Sequence, residues 1–368
     1  MSLIPLAPFV FYFSDVEDPR SDNKRHLLLD ILVIAICGAI CGADTWVDIE
    51  LFGQSKREWF AKFLDLSNGI PSHDTFGRVF ALLDAEQFQR CFINWVQGVC
   101  DVLKGQVVAF DGKTLRRSHN RTIGKDAIHM VSAWATKNRL VLGQTKVDDK
   151  SNEITAIPVL LDLLELSDCI VTIDAIGCQK EIAEQIVDQG ADYVLALKGN
   201  QGTLHSDAQT LFEDARAIGF ADFDHHKTVG KGHGRIEIRE CWTTAHPEYL
   251  EALYKPEQWV GLQSVGMVRA ERRVGEKRET ETRYYISSLP GNAKQLLNAV
   301  RSHWHIENRL HWVLDVTFRE DDSRIRTGNA AQNMAVLRHM ALNLLKQEQS
   351  TKRSIRGKRL KAGWDEAY

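Results

Sequence analysis

The chain lacks most of the features that classify a protein at a glance. Its seven cysteines, Cys37, Cys41, Cys91, Cys100, Cys169, Cys178 and Cys241, contain no Cys-x-x-Cys pair and are odd in number. With no signal-peptide pattern at the start, that usage predicts reduced thiols in a cytoplasmic protein, most of them small apolar core residues. Charge of one sign is missing too. Lys and Arg total 46 against 49 Asp and Glu, for a formal net charge of -3. No overall basic footprint marks a nucleic-acid binder, although a cluster of acids would mask basic patches elsewhere. Repeats and low-complexity tracts are absent. The glycine-rich stretch Gly230-Lys231-Gly232-His233-Gly234-Arg235 lacks the spacing of a phosphate loop and reads as a flexible basic loop. The one long apolar run, 27–43, is about 17 residues, near the lower limit for a membrane span. Asp30, Gly38 and Gly42 interrupt it, so it is expected to be a buried helix, with no membrane partner.

What is present is ordinary globular composition, 44% hydrophobic and 26% charged over 368 residues, enough for two or three domains. Residues 1–104 read as a helical N-terminal domain. Apolar residues recur at three- and four-residue spacings in 27–40, 46–63 and 85–103. Pro71 ends one element, and Ser72 or Asp74 caps the next, 75–83. Such a unit suits helix-turn-helix DNA binding or plain helical packing equally. From residue 105 the pattern changes to strands at 107–110, 128–134 and 141–146, a helix at 152–166, a strand at 169–173, a helix at 181–189 and a strand at 193–197. That order is mixed α/β with a largely buried sheet. Residues 203–290 read as a β-rich insertion after a helix at 204–217, with strands at 235–243, 259–272 and 279–287. Helices resume at 293–318 and 330–346. The tail, 351–368, carries Lys352, Arg353, Arg356, Lys358, Arg359 and Lys361, a solvated terminus or a set of phosphate contacts.

Three acids stand out. Asp111 ends the apolar run Val107-Val108-Ala109-Phe110, and Asp174 ends Ile170-Val171-Thr172-Ile173. Glu307 lies in His303-Trp304-His305-Ile306-Glu307-Asn308. An acid at the tip of a buried strand costs desolvation energy unless a cation or hydrogen bonds compensate it. If both strands neighbour one another and a helix presents Glu307 across their edge, the three carboxylates hold divalent metal. Each acid also has a local explanation: a turn at Asp111-Gly112, a helix N-cap at Asp174, a solvated helix acid at Glu307. A rival set, His303, Glu307 and His311, shares one helical face and has zinc- or iron-binding chemistry. Spread over about 12 Å of straight helix, the three cannot meet on one ion; at most a pair can.

The blocks around these acids resemble the H-repeat-associated proteins, a branch of the bacterial insertion-sequence DDE transposases. The resemblance runs through nearly the whole chain: 44–50, 69–75, Asp111-Gly112-Lys113-Thr114-Leu115-Arg116, 150–158, Asp174-Ala175, Gln179-Lys180, Leu197-Lys198-Gly199-Asn200-Gln201, 283–288, 303–308 and 328–331. It implies a ribonuclease H-like catalytic domain formed by 105–202 and 291–350, with Asp111, Asp174 and Glu307 as the catalytic, metal-binding DDE triad. It also implies two Mg2+ ions, or Mn2+ in their place, and hydrolysis at transposon ends that frees a 3'-hydroxyl to attack target DNA. The implied partner is double-stranded DNA, and a homodimer on DNA is the expected assembly.

One departure bears on the site. The family's signature places Tyr, Arg and Lys around the third acid where this chain has Val300, His303 and Leu314. Arg301, His303 and Arg309 are the candidate substitutes for holding phosphate there. Lys198 and Asn200, after a strand, are candidate DNA contacts, as are Arg116 and Arg117. Trp304 is read as a base-stacking residue or, more simply, an interior packing residue. Asp315 and Glu320 are weaker alternatives for the third acid. A transposase-derived DNA-binding protein and a metal-dependent hydrolase of another substrate are the competing functions.

Overall fold

A computed structural model describes residues 6–21, 24–99, 103–119, 126–147, 152–232 and 234–368. Cys100, Lys150, Ser151 and His233, which figured in sequence patterns, lie outside the described residues. The N-terminal part folds as helices α1 (Leu6–Phe13), α2 (Leu28–Cys41), α3 (Trp46–Ser55), α4 (Arg57–Phe60), α5 (His73–Leu82) and α6 (Ala85–Val99). In α2 the run Ile31 to Ile36 is buried, and the helix stops at Gly42, whose φ of 106° only glycine adopts without strain. Thr45 and Asp48 then form a capping box that starts α3 in a new direction, 96° away. Among the described residues no single helix is long and apolar enough to cross a membrane. Ser72 caps α5, and Glu50 of α3 accepts from the His73 N–H at 2.8 Å, which fixes the turn at 69–75.

The remaining chain builds β1 (Val107–Thr114), β2 (His129–Ala135), β3 (Leu140–Lys146), α7 (Glu153–Asp162), β4 (Ile170–Ile173), α8 (Lys180–Asp188), β5 (Asp192–Leu197), α9 (Gly202–Ala217), β6 (Asp224–Gly232), β7 (Arg235–Thr244), α10 (Pro247–Glu251), β8 (Ser264–Val274), β9 (Lys277–Ser287), α11 (Ala293–His303), α12 (Trp312–Thr317), α13 (Ala330–Gln347) and α14 (Ile355–Trp364). Among the described residues nine strands form one sheet in the order β3-β2-β1-β4-β5-β9-β8-β7-β6. β4 runs parallel to β1 and β5; the other pairs are antiparallel. Because β9 pairs with β5, the strands of 203–290 lengthen the central sheet rather than forming a separate one. Within the glycine-rich stretch, Gly230 to Gly232 are not loop: they end an edge strand whose Gly232 pairs with Arg235. That strand is mostly exposed, so it has no apolar alternation to announce it. Likewise β8 begins at Ser264, after Trp259 has been buried beside the sheet.

Helix α11 lies across one sheet face, its Leu296, Leu297 and Val300 packed with Ile170, Val194 and Val268. On the other face α7 and α8 bury Ile157, Leu160, Ile182 and Ile186 in the main core with Val171 and Ile173. Helix α13 is buried on nearly all sides and joins that core to the N-terminal helices, so 1–104 shares its core with the sheet. Its Asn343 amide exchanges two 2.9 Å hydrogen bonds with the Val141 backbone, covering part of the β3 edge.

The C-terminal segment corrects the reading of 351–368 as a basic tail. It forms α14, and Lys358 and Arg359 are buried. The Arg359 guanidinium donates to the Ala39 carbonyl at 2.9 and 3.1 Å, to Asp44 at 2.7 Å, and to the Thr317 carbonyl. Carbonyls near the end of α2 have no helical partner, and Arg359 supplies one. These two cations are not available to phosphate.

Candidate active site

The last paired residues of β1 and β4 are Phe110 and Ile173, so Asp111 and Asp174 follow side by side at one point of the sheet. Asp111 is not in a turn. β1 continues to Thr114 against β2, with Asp111 opposite Ser132, while β4 stops and its chain bends away after Asp174. The Asp174 carboxylate accepts from the Ile176 N–H at 3.1 Å, so it caps its own loop as well as facing the site.

The continuous helix expected at 293–318 is interrupted. His303, at the end of α11, shares a 3.2 Å hydrogen bond with Thr172 of β4. A π-helical turn, Glu307–His311, follows before α12. It sets the His311 Nδ1 3.5 Å from Asp111 and 3.8 Å from Glu307. Asp111, Glu307 and His311 thereby offer ligand atoms all within 4.8 Å of one another. The helical His303, Glu307, His311 set is resolved as the helix geometry demands: two of its members meet, the third is turned to Thr172, and Asp111 completes the group. His311 is more than nine-tenths buried.

The electrostatics suit a divalent cation. Burial, and then the charges of Glu307, Asp174 and Glu153, push the Asp111 carboxyl up to about 8 from 3.8. Asp174 is raised by burial and by Glu153, against the hydrogen bonds of the Ile176 and Gly177 N–H groups. Glu307 is lowered, chiefly by its hydrogen bond to His311. Metal-free, the Asp111–Glu307 pair therefore keeps a proton on Asp111. A divalent cation would displace that proton and offset the repulsion, and carboxylates are the donors that Mg2+ and Mn2+ take.

The surrounding pocket is lined by Thr172, Lys198, Arg283, His303 and Trp304 together with the three acids. Burial pushes His303 down to about 4, so it stands neutral where the family signature has Arg. Trp304 is 41% exposed rather than interior, with the Arg283 guanidinium 4.3 Å above its ring. Lys198 reaches the rim, whereas Asn200 donates to the Ala175 carbonyl and so braces the loop after Asp174. Arg301 and Arg309 do not line the pocket; with Arg139 they surround His305 on another side of the helix and lower its pKa further than burial alone. Of the three candidate substitutes, none brings a cation to the acids; Lys198 does, acting on Asp174, while Arg283, ion-paired with Glu281 at 2.7 Å, lines the same pocket. Arg116 and Arg117 pair with Asp321 at 3.2 Å and Asp322 at 3.4 Å, outside the pocket. Asp315 and Glu320 are tied to Lys113, and Glu320 also to Arg338 at 3.6 Å, so neither is a free third acid.

Three residues near the acids escaped the sequence reading: His311 as a partner of Asp111, Arg283 and Glu153. Each stood in view, in a helix position four after Glu307, in the block 283–288 and in the block 150–158, without a spacing that would mark it.

Residues 103–344 match the family described as Transposase DDE domain, and residues 10–96 match its associated N-terminal family, DDE_Tnp_1-associated. The chain belongs to the DDE transposase family. Its relatives include "Putative transposase YncI" of Escherichia coli O157:H7, 43% identical over 97% of this chain and 92% of that one. "H repeat-associated putative transposase YhhI" of Escherichia coli K12 is 41% identical over 99% of this chain and 97% of that one. The H-repeat resemblance is thus confirmed over the full length. A piggyBac transposase synaptic complex with hairpin DNA gives a TM-score of 0.45 at 11% identity, over 98% of this chain and 79% of that one, too slight to carry an argument. Family membership implies use of a divalent metal and DNA as partner, and the acid group of this DDE transposase has the donors for the metal.

Proposed function

We propose that Asp111, Asp174 and Glu307 are the catalytic carboxylates of metal-dependent strand cleavage at transposon ends and of strand transfer into target DNA, on a ribonuclease H-like framework. The observation that carries this is the convergence of Asp111 with Glu307, from a strand and a distant helix, beside Asp174. Two Mg2+ ions, or Mn2+, bound there would activate the attacking oxygen and stabilise the leaving oxygen. Asp111 and Asp174 would hold the cations at the sheet, and Glu307, 3.8 Å from His311, would close the site from the helix side. Lys198 and Arg283 attract the scissile phosphate, and Trp304 offers an open ring face to an unpaired base. The expected setting is a homodimer on double-stranded DNA in the cytoplasm.

Incubation of the full chain with its element's end sequences and Mg2+ tests this. Asp111→Asn, Asp174→Asn and Glu307→Gln are each expected to reduce nicking by at least about a hundredfold. Nicking that survives all three substitutions overturns the assignment. A second reading, DNA binding without transposition, draws on the neutral His303 and the leucine at position 314. It predicts end-specific binding with no metal-dependent nicking even in the unmodified chain.

A further inference from the structure

We propose that Arg139, Arg301, Arg309 and Lys346 form a second phosphate-binding surface, which holds the backbone of duplex DNA on the side of the 301–311 helical segment turned away from the acids. The inference rests on DNA being the partner, which family membership implies, and is independent of the metal-site reading. Two residues along a helix make somewhat more than half a turn. His305 and Arg309 therefore project from the opposite side of the segment to Glu307, and none of the four cations lines the acid pocket. Arg301, His305 and Arg309, four residues apart, make one row along that outer side.

Two other elements bring cations to this row. Arg139 closes the β2–β3 hairpin: Ala135 pairs with Leu140, and the Arg139 N–H donates to the Ala135 carbonyl at 2.8 Å. Its φ of 58° is a left-handed conformation that glycine or asparagine adopts with less strain, so the turn itself does not call for arginine. From α13, Lys346 donates to the Arg309 carbonyl at 2.9 Å, and its ammonium lies 4.4 Å from the centre of the buried Trp134 ring of β2. That pins Lys346 between the row and the hairpin, with one of its three N–H donors used on the carbonyl. The charges that act on His305, Arg309 and Lys346 are all positive, and among the described residues no carboxylate is ion-paired with any of the four cations. Arg116, Arg117 and Arg283, by contrast, each have an acid beside them. Like charges gathered without a counter-charge repel, and a phosphodiester is an anion that relieves them. Guanidinium forks and an ammonium match its two free oxygens. Arg139 and Arg301 are exposed, so a duplex reaches them from solvent.

Solvated cations with no ligand are the bland alternative. Fluorescence anisotropy of a labelled DNA duplex, titrated with the full chain across a salt series in EDTA so that no metal takes part, separates the two. Arg139→Asn suits the left-handed turn and keeps the fold. It and Arg309→Gln are each expected to lower the slope of log affinity against log salt by about one, and Arg139→Lys to keep it. The metal-free melting temperature of Arg139→Asn should hold or rise, since a repelling charge is gone. Combining Arg139→Asn with Arg283→Ala should lower the slope by about two, because the two arginines meet different phosphates. An unchanged slope in either single variant, or a combined loss no larger than the single one, overturns the inference. Earlier melting with the slope intact makes the cluster structural and overturns it too. An unmodified chain that binds no duplex DNA at any salt concentration instead removes DNA as the partner, and the inference with it.

Discussion

Replacing Glu320 by Gln separates a structural acid from the proposed catalytic one. Glu320 is 3% exposed and lies between Lys113 at 2.7 Å and Arg338 at 3.6 Å, with Asp315 on the same lysine. Burial alone would raise its carboxyl, but the charges of Lys113 and Arg338 outweigh that and hold it at about 2, against an ordinary 4.5. At about 1.4 kcal/mol per pH unit, the difference corresponds to about 3 kcal/mol of stability. Breaking a buried pair from one side costs roughly 3–5 kcal/mol, so the two routes agree. Urea unfolding followed by circular dichroism at pH 7 should show Glu320→Gln weaker by about that amount. A carboxyl lowered by folding contributes stability above its unfolded value and loses it as pH falls through the folded one. The gap between the two chains should therefore be full above 4.5 and close toward pH 2. Mn2+ binding should be unaffected. Glu307→Gln should do the reverse, losing metal with little change in stability. A Glu320→Gln chain of unchanged stability that no longer binds metal would refute the argument and make Glu320 the third acid.

Asp111, raised to about 8, keeps its proton at neutral pH without metal. Metal binding should release protons and tighten as pH rises toward 8, while the metal-free chain loses stability as pH climbs from 3.8 to about 8; calorimetry in buffers of different ionisation heat counts the protons, and none released at pH 7 contradicts this. Arg283→Ala should weaken DNA binding and lower the slope of log affinity against log salt by about one, whereas an unchanged slope removes Arg283 from the phosphate path. Arg359→Ala, stripping a buried guanidinium from two backbone carbonyls and Asp44, should cost roughly 3–5 kcal/mol and leave DNA affinity alone; lost affinity at unchanged melting temperature would restore the tail to DNA contact.

Local signals carried much of this molecule. The periods of three to four residues, the Ser72 cap and the apolar runs ending in Asp111 and Asp174 placed helices and strands because they depend on near neighbours in the chain. The ordered blocks named the family. What remained hidden depends on partners far away in sequence. An exposed edge strand such as β6 has no buried face to write a pattern. Lys358 and Arg359 look like a phosphate-binding tail until the carbonyls they cover are in place. Trp304, read as a possible packing residue, lies at the pocket with Arg283 of β9 stacked on its ring and still 41% exposed, because the sheet and not its own helix supplies its partner. The π-turn that joins His311 to Asp111 and Glu307 reads in sequence as plain helix. Sequence determined which acids deserved attention; packing decided which of them meet, because the energy of a shared cation or a shared proton depends on ångström separations that no spacing along the chain encodes.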